Sequence, residues 1–140
     1  MKILFMCVAN SARSQLAEAL AKKIFNCNIQ IESAGSVPKQ VNPYAIRALQ
    51  EIGIDISKSW SKSTNDLSPS FLVDVDYVIT LCAEEVCPIL PSLSAKKLHW
   101  PFPDPAGQFG SAEKQMIRFR KTRDDIKARI ETFANELRMV

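Results

Sequence analysis

Cys7 and Arg13 bracket the segment Cys7-Val8-Ala9-Asn10-Ser11-Ala12-Arg13-Ser14, a pairing suited to holding and attacking a tetrahedral oxyanion. A loop of this kind, set between a strand and a helix, turns the backbone N–H groups of Val8 to Ser14 toward one point at the helix N-terminus. The planar guanidinium of Arg13 grips two oxygens at once, which a lysine would do less well. The same field favours the thiolate of Cys7, to which Ser14 is placed to donate a hydrogen bond. The sum is an anion site with a nucleophile at its base. The plain alternative for Cys7 is an inert thiol buried at a strand end. Three further cysteines, Cys27, Cys82 and Cys87, complete the set. In an intracellular chain they point to metal or redox chemistry rather than to structural disulfides.

The elements that must position this loop are readable around it. Lys2 to Cys7 reads as a short strand whose run Ile3-Leu4-Phe5-Met6 is continuously apolar, as in a strand buried on both faces. Leu16, Leu20 and Ile24 follow at helical spacing, and Asn28 to Ser33 reads as a second strand closed by Ala34-Gly35. Asn42-Pro43 starts a helix, with Ile46, Leu49 and Ile52 as its stripe and Gly53 as its stop. Ser57 to Ser70, polar but for Trp60 and a few apolar residues, reads as a surface loop. Asp76 to Cys82 and Lys97 to Trp100 are the third and fourth strands. Ser111 opens a long last helix whose Met116, Phe119, Ile126, Ile130, Phe133 and Leu137 keep helical spacing.

Alternation of strands and helices predicts an α/β fold with a parallel sheet and right-handed crossovers. Ligands in such sheets bind beyond the carboxyl ends of the strands, where strand order reverses. That rule selects Cys7, Cys82 and the loop holding Asp104 as neighbours on one sheet edge.

Length and composition bound the rest. The 140 residues make one domain, 1–140, and 46% apolar with 24% charged residues is a globular balance. No apolar run approaches the ~20 residues of a membrane span. Asn10, Ser11 and Arg13 interrupt the opening MKILFMC before a signal segment builds up, so a cytoplasmic protein without a membrane partner is expected. Eighteen basic against fifteen acidic residues give +3, which suits a small anion and is too weak to argue for nucleic acid.

CVANSARS, the SAG after the second strand, VNPYAIRALQEIGIDIS, VITLC, CPILP and HWPFPDPAG together resemble the arsenate reductases of the low-molecular-weight tyrosine phosphatase fold, from Lys2 to about Glu136. The resemblance implies a four-stranded parallel sheet flanked by helices and reduction of arsenate to arsenite. Electrons would come from thioredoxin, with no tightly bound cofactor. It assigns Cys7 as nucleophile, and Cys82 and Cys87 as the thiols that take over the disulfide. Asp104 becomes the general acid, its plain alternative being an Asx-type turn residue. It also implies a potassium ion near Asn10, Glu18, Ser33 and Asp66, all oxygen donors.

Only four residues separate Cys82 from Cys87, where thioredoxin-linked members carry a longer insert, so glutaredoxin or a small thiol stays open as the reductant. Five residues along a regular helix rise about 7.5 Å, beyond the ~4.4–6.8 Å Cα range of a disulfide. A helix joining the two must therefore unwind when they pair, and Pro88 assists by biasing Cys87 away from helical angles.

Two rivals remain. A phosphotyrosine phosphatase would carry aromatic residues after the Asp-Pro, where Ala106 and Gly107 stand. A non-catalytic oxyanion sensor or redox switch would bind or oxidise without turnover. His99 reads as a core or edge residue and Cys27 as a small hydrophobe. Arg118, Arg120, Lys121, Arg123, Lys127 and Arg129 read as a solvated face of the last helix.

Overall fold

The computed structural model describes residues 1–25, 28–82, 95–106 and 110–137. In chain order the elements are β1 (Lys2–Cys7), α1 (Arg13–Ile24), β2 (Gln30–Gly35), α2 (Pro43–Gln50), a 3-10 turn (Thr64–Asp66), α3 (Pro69–Leu72), β3 (Tyr77–Thr80), β4 (Lys96–His99) and α4 (Ala112–Glu136). The four strands form one parallel sheet in the order β2-β1-β3-β4. Strand order therefore reverses between β1 and β3, beside the end of Cys7's strand.

Side chains alternate along a strand, and β1 shows the consequence. Ile3 and Phe5 enter a large core with Leu16, Leu20, Leu49, Phe119 and Ile126, which α1, α2 and α4 supply. Leu4 and Met6 face a smaller core with Leu67, Phe71 and Val75. With both faces covered, β1 is apolar throughout from Ile3 to Cys7. β4, at the sheet edge, exposes Lys96, Lys97 and His99, charges that discourage pairing with another chain.

Several boundaries differ from expectation. β2 runs from Gln30 to Gly35 rather than Asn28 to Ser33, because its ladder continues until Gly35 stands opposite Cys7. β3 is shorter than Asp76–Cys82. The Asp76 carboxylate instead accepts from the Lys2 amide, and the ladder closes at Thr80 opposite His99. β4 begins one residue early, at Lys96. Ile52 lies outside α2 and is exposed; the buried face of that helix is Ala45, Ala48 and Leu49. The N-cap holds as expected, Asn42 Oδ1 accepting from the Tyr44 amide at 2.8 Å, and Gly53 takes a φ of 82° past the helix end. Ser57–Ser70 is not wholly a loop, since Ser63 and Ser68 each cap a short helical turn.

The basic side of α4 is the largest correction. Of the six basic residues expected to form a solvated face, only Lys121 and Lys127 are exposed. Arg123 is buried, donating to Ala48 O at 2.8 Å and to Glu51 at 3.0 Å. Arg120 holds Glu51 through two nitrogens, and the Arg129 guanidinium lies 4.4 Å from the Trp100 ring centroid. Arginines fasten α4 to α2 and to the sheet end because their long stems pack while their forks find carboxylates, carbonyls and rings.

Candidate active site

β1 ends at Cys7 and α1 begins at Arg13, so residues 8–12 must turn within one short loop. What shapes that loop is the fate of its carbonyls. Val37 N donates to Val8 O, Lys39 N to Ala9 O and Asn42 N to Ser11 O, each at 2.9 Å. Ser61 Oγ and Gln15 Nε2 donate to Asn10 O at 2.8 and 3.1 Å. With its carbonyls drawn to partners outside the turn, the loop leaves amide N–H groups for its concave side. Asn10 N already donates to Cys7 Sγ at 3.2 Å. Ala12, the α1 N-cap, supplies no side-chain cap, which leaves first-turn amides for an anion.

Two residues bear the strain of this turn. Asn10 adopts φ 49°, a left-handed conformation that Asn tolerates better than most. Gly35 has no room for a side chain, since a Cβ there would lie 2.4 Å from Val8 O and 2.9 Å from Asn10 N. In the sequence Gly35 marks only the end of a strand.

Cys7 is buried and is the free cysteine among the described residues. Its Sγ lies 2.8 Å from Ser14 Oγ, the contact expected from the sequence. Arg13, also buried, is held by Nη1 donating to Phe102 O at 2.8 Å and places Nη2 3.9 Å from Asp104 Oδ2. Asp104 Oδ1 accepts from the Ala106 amide at 2.9 Å. It is thus an Asx-turn residue as well as a cavity residue, the turn fixing one oxygen and leaving Oδ2 toward Arg13. Cys7, Ala9, Ser11, Ala12, Arg13, Asp104 and Ala106 line a cavity of about 50 Å³. That volume accommodates a tetrahedral oxyanion, and among the described residues its lining carries no aromatic wall.

Cys82 is buried two residues beyond β3, whose Thr80 pairs with Met6 of β1, so both sulfurs belong to neighbouring strand ends. Unlike Cys7, Cys82 is disulfide-bonded. Cys87, Cys27 and Gly107 lie outside the described residues, as does the segment between Cys82 and Cys87 where a helix is expected to unwind.

The expected ion ligands are only partly brought together. Asn10 Nδ2 donates to Ser33 Oγ at 2.9 Å, and Ser33 Oγ donates to Glu18 Oε1 at 2.5 Å. Asn10 Oδ1, however, accepts from Lys62 N and Gln15 Nε2 at 2.8 and 3.0 Å. Asp66 is exposed and accepts from Ser63 N and Oγ, capping the 3-10 turn. The ammonium of Lys62 stands 3.3 Å from Glu18 Oε1, and that of Lys22 stands 2.8 Å from Oε2. Burial pushes the Glu18 carboxyl up. Hydrogen bonds from Lys22 and Ser33, with the charges of Lys62 and Lys22, outweigh it and hold the group below its ordinary range. A set with an amide nitrogen turned inward and an ammonium in place does not fit a bare potassium ion.

His99 is exposed on the edge strand, its Nδ1 2.8 Å from Thr80 Oγ1, an edge residue as expected.

A parallel sheet ordered β2-β1-β3-β4, with a cysteine–arginine anion loop at its switch point, defines a class of oxyanion-handling α/β proteins. The chain matches the model of the low molecular weight phosphotyrosine protein phosphatase family over residues 2–139, and it belongs to that family. It is 42% identical to an arsenate reductase of Halalkalibacterium halodurans over 134 residues, which is 94% of each chain. A solved arsenate reductase in a phosphate-binding state superposes with a TM-score of 0.78 at 35% identity, covering 96% of this chain and 97% of that one. A thioredoxin-dependent arsenate reductase of Corynebacterium glutamicum superposes with a TM-score of 0.72 at 28% identity, covering 98% of this chain and 61% of the other.

Proposed function

We propose that the protein is a cytoplasmic arsenate reductase working through a three-thiol relay, with thioredoxin as the electron donor. Arsenate enters the loop, its oxygens held by the amides of Val8 to Ser14 and by Arg13. The Cys7 thiolate attacks arsenic, and an oxygen leaves as water on a proton delivered by Asp104 Oδ2. The Cys82 thiol then attacks the Cys7 sulfur. The As–S bond breaks, its electron pair stays on arsenic, and arsenite departs. The resulting Cys7–Cys82 disulfide is attacked by Cys87, which restores Cys7 and leaves Cys82–Cys87 for an external dithiol to reduce.

The observation that carries this reading is the contrast between two cysteines on adjacent strand ends. One is free at the base of an anion loop; the other is engaged in a disulfide. A phosphatase needs only the first. The small cavity, with Ala106 where a phenol-gripping ring would stand, favours a bare oxyanion over a phosphotyrosine. No helix among the described residues is long and apolar enough to cross a membrane, in keeping with the cytoplasmic assignment. Relatives named arsenate reductase, one of them thioredoxin-dependent, support the substrate and the donor.

The test is arsenate-dependent NADPH oxidation in the presence of thioredoxin and its reductase. Cys7→Ser, Cys82→Ser and Cys87→Ser should each lose turnover by a factor of about 10³ or more, since each removes an obligatory thiol. Robust turnover of Cys82→Ser would overturn the relay. Activity restored only by glutaredoxin would keep the relay and change the donor.

A further inference from the structure

We propose that Lys62 is the resident cation of the loop: its ammonium, paired with Glu18, anchors the far end of the hydrogen-bond chain that reaches Cys7, while its backbone N–H fixes the direction of that chain at Asn10, and together they free that cysteine's reactivity from potassium. The proposal rests on Cys7 being the nucleophile.

The direction follows atom by atom. A charged Glu18 only accepts, so Ser33 donates its single hydroxyl hydrogen to Glu18 Oε1 and receives one from Asn10 Nδ2. The second hydrogen of that amide goes to Ser14 Oγ at 2.7 Å. Ser14, already receiving one hydrogen, has its own to donate to Cys7 Sγ at 2.8 Å, where it stabilises a thiolate. The Asn10 amide has no alternative orientation, because the Lys62 backbone N–H must find an acceptor and finds Oδ1.

The Ser33 end of the chain keeps its anchor only while Glu18 is ionised. A protonated carboxyl would become a donor, and Ser33 would no longer be obliged to point toward it. Glu18 is 8% exposed, and a buried carboxylate stays charged only beside a cation. Of the two candidates, the Lys22 side chain is 53% exposed and solvent-screened, whereas that of Lys62 is 12% exposed and enclosed with the carboxylate. The same residue also holds the loop by its main chain, accepting from Gly35 N at 2.8 Å while it donates to Asn10 Oδ1. One residue thus pins both ends of the network. A potassium ion would have to take the position on Glu18 that the ammonium already fills.

Iodoacetamide alkylation of Cys7, located by peptide mass spectrometry on the reduced protein near neutral pH, reads this directly and needs no arsenate. A failure of the reductase reading is therefore distinguishable from a failure here. Wild type should react at one rate in potassium, sodium and choline chloride at matched ionic strength. Lys62→Gln should react about tenfold more slowly in choline, as for a tenfold smaller thiolate fraction. Lys62→Arg, which keeps the charge, should stay near wild type. Acceleration of wild-type Cys7 by potassium would overturn the proposal. So would a Lys62→Gln protein as reactive as wild type, or a Lys62→Arg protein as slow as Lys62→Gln.

Discussion

Gly35 and Asn10 show how a catalytic loop depends on residues without catalytic chemistry. An alanine at Gly35 puts its methyl 2.4 Å from the Val8 carbonyl, so β2 and the loop must separate. Such overpacking costs about 1–3 kcal/mol and would disturb the amides that hold the anion. Gly53, at φ 82° with nothing near its missing Cβ, offers the control: alanine there costs only the left-handed backbone, about 1–2 kcal/mol. Thermal melting should therefore fall in both variants, whereas arsenate turnover should fall only in Gly35→Ala. Equal activity in the two would contradict the role given to the close approach. Cys7, Arg13 and Asp104 were legible in the sequence because their side-chain types, spacing and setting carry the chemistry. Gly35 was legible only as a strand end. Lys62 gave no signal, because it acts on Asn10 across 52 residues from a polar stretch without periodicity. Asp66, the oxygen donor expected in that stretch, turned out to cap its own turn.

Between elements, the link most open to test is the one from α2 to α4. Glu51, at the C-cap of α2, accepts from Arg120 and Arg123 of α4. Hydrogen bonding from Arg120, with the charges of both arginines, outweighs burial and lowers the Glu51 carboxyl below its ordinary value of 4.5. A carboxyl lowered in the folded state contributes stability above its unfolded-state value and loses it as pH falls through the folded one. Glu51→Gln should accordingly melt below wild type at neutral pH, and the gap should close on acidification below about 4.5. Added salt should narrow it at neutral pH, because the group is exposed. A gap constant from neutral to acid would show that the carboxylate is not what joins the helices. Periodicity revealed α4 and its apolar stripe correctly. It misread the opposite side because charge alone does not say whether an arginine meets water, a carboxylate or the Trp100 ring.

For the whole molecule, the topology brings the chemistry together. Reversal of strand order between β1 and β3 sets the Cys7 loop, the end of β3 with Cys82, and the Asp104 loop on one edge of the sheet. This much follows from the alternation of strands and helices in the sequence, because parallel sheets leave their carboxyl edges for ligands. Strand ends followed less well, since they are set by where ladder partners stop and not by apolar runs. The relay is tested most directly in a single turnover. Fully reduced protein is mixed with one equivalent of arsenate and no reductant, quenched with iodoacetamide, and mapped by mass spectrometry. The account predicts one arsenite per chain, an alkylated Cys7 and a Cys82–Cys87 disulfide in wild type, with a Cys7–Cys82 disulfide trapped in Cys87→Ser. Arsenate left unreduced, with every thiol alkylated, would contradict it.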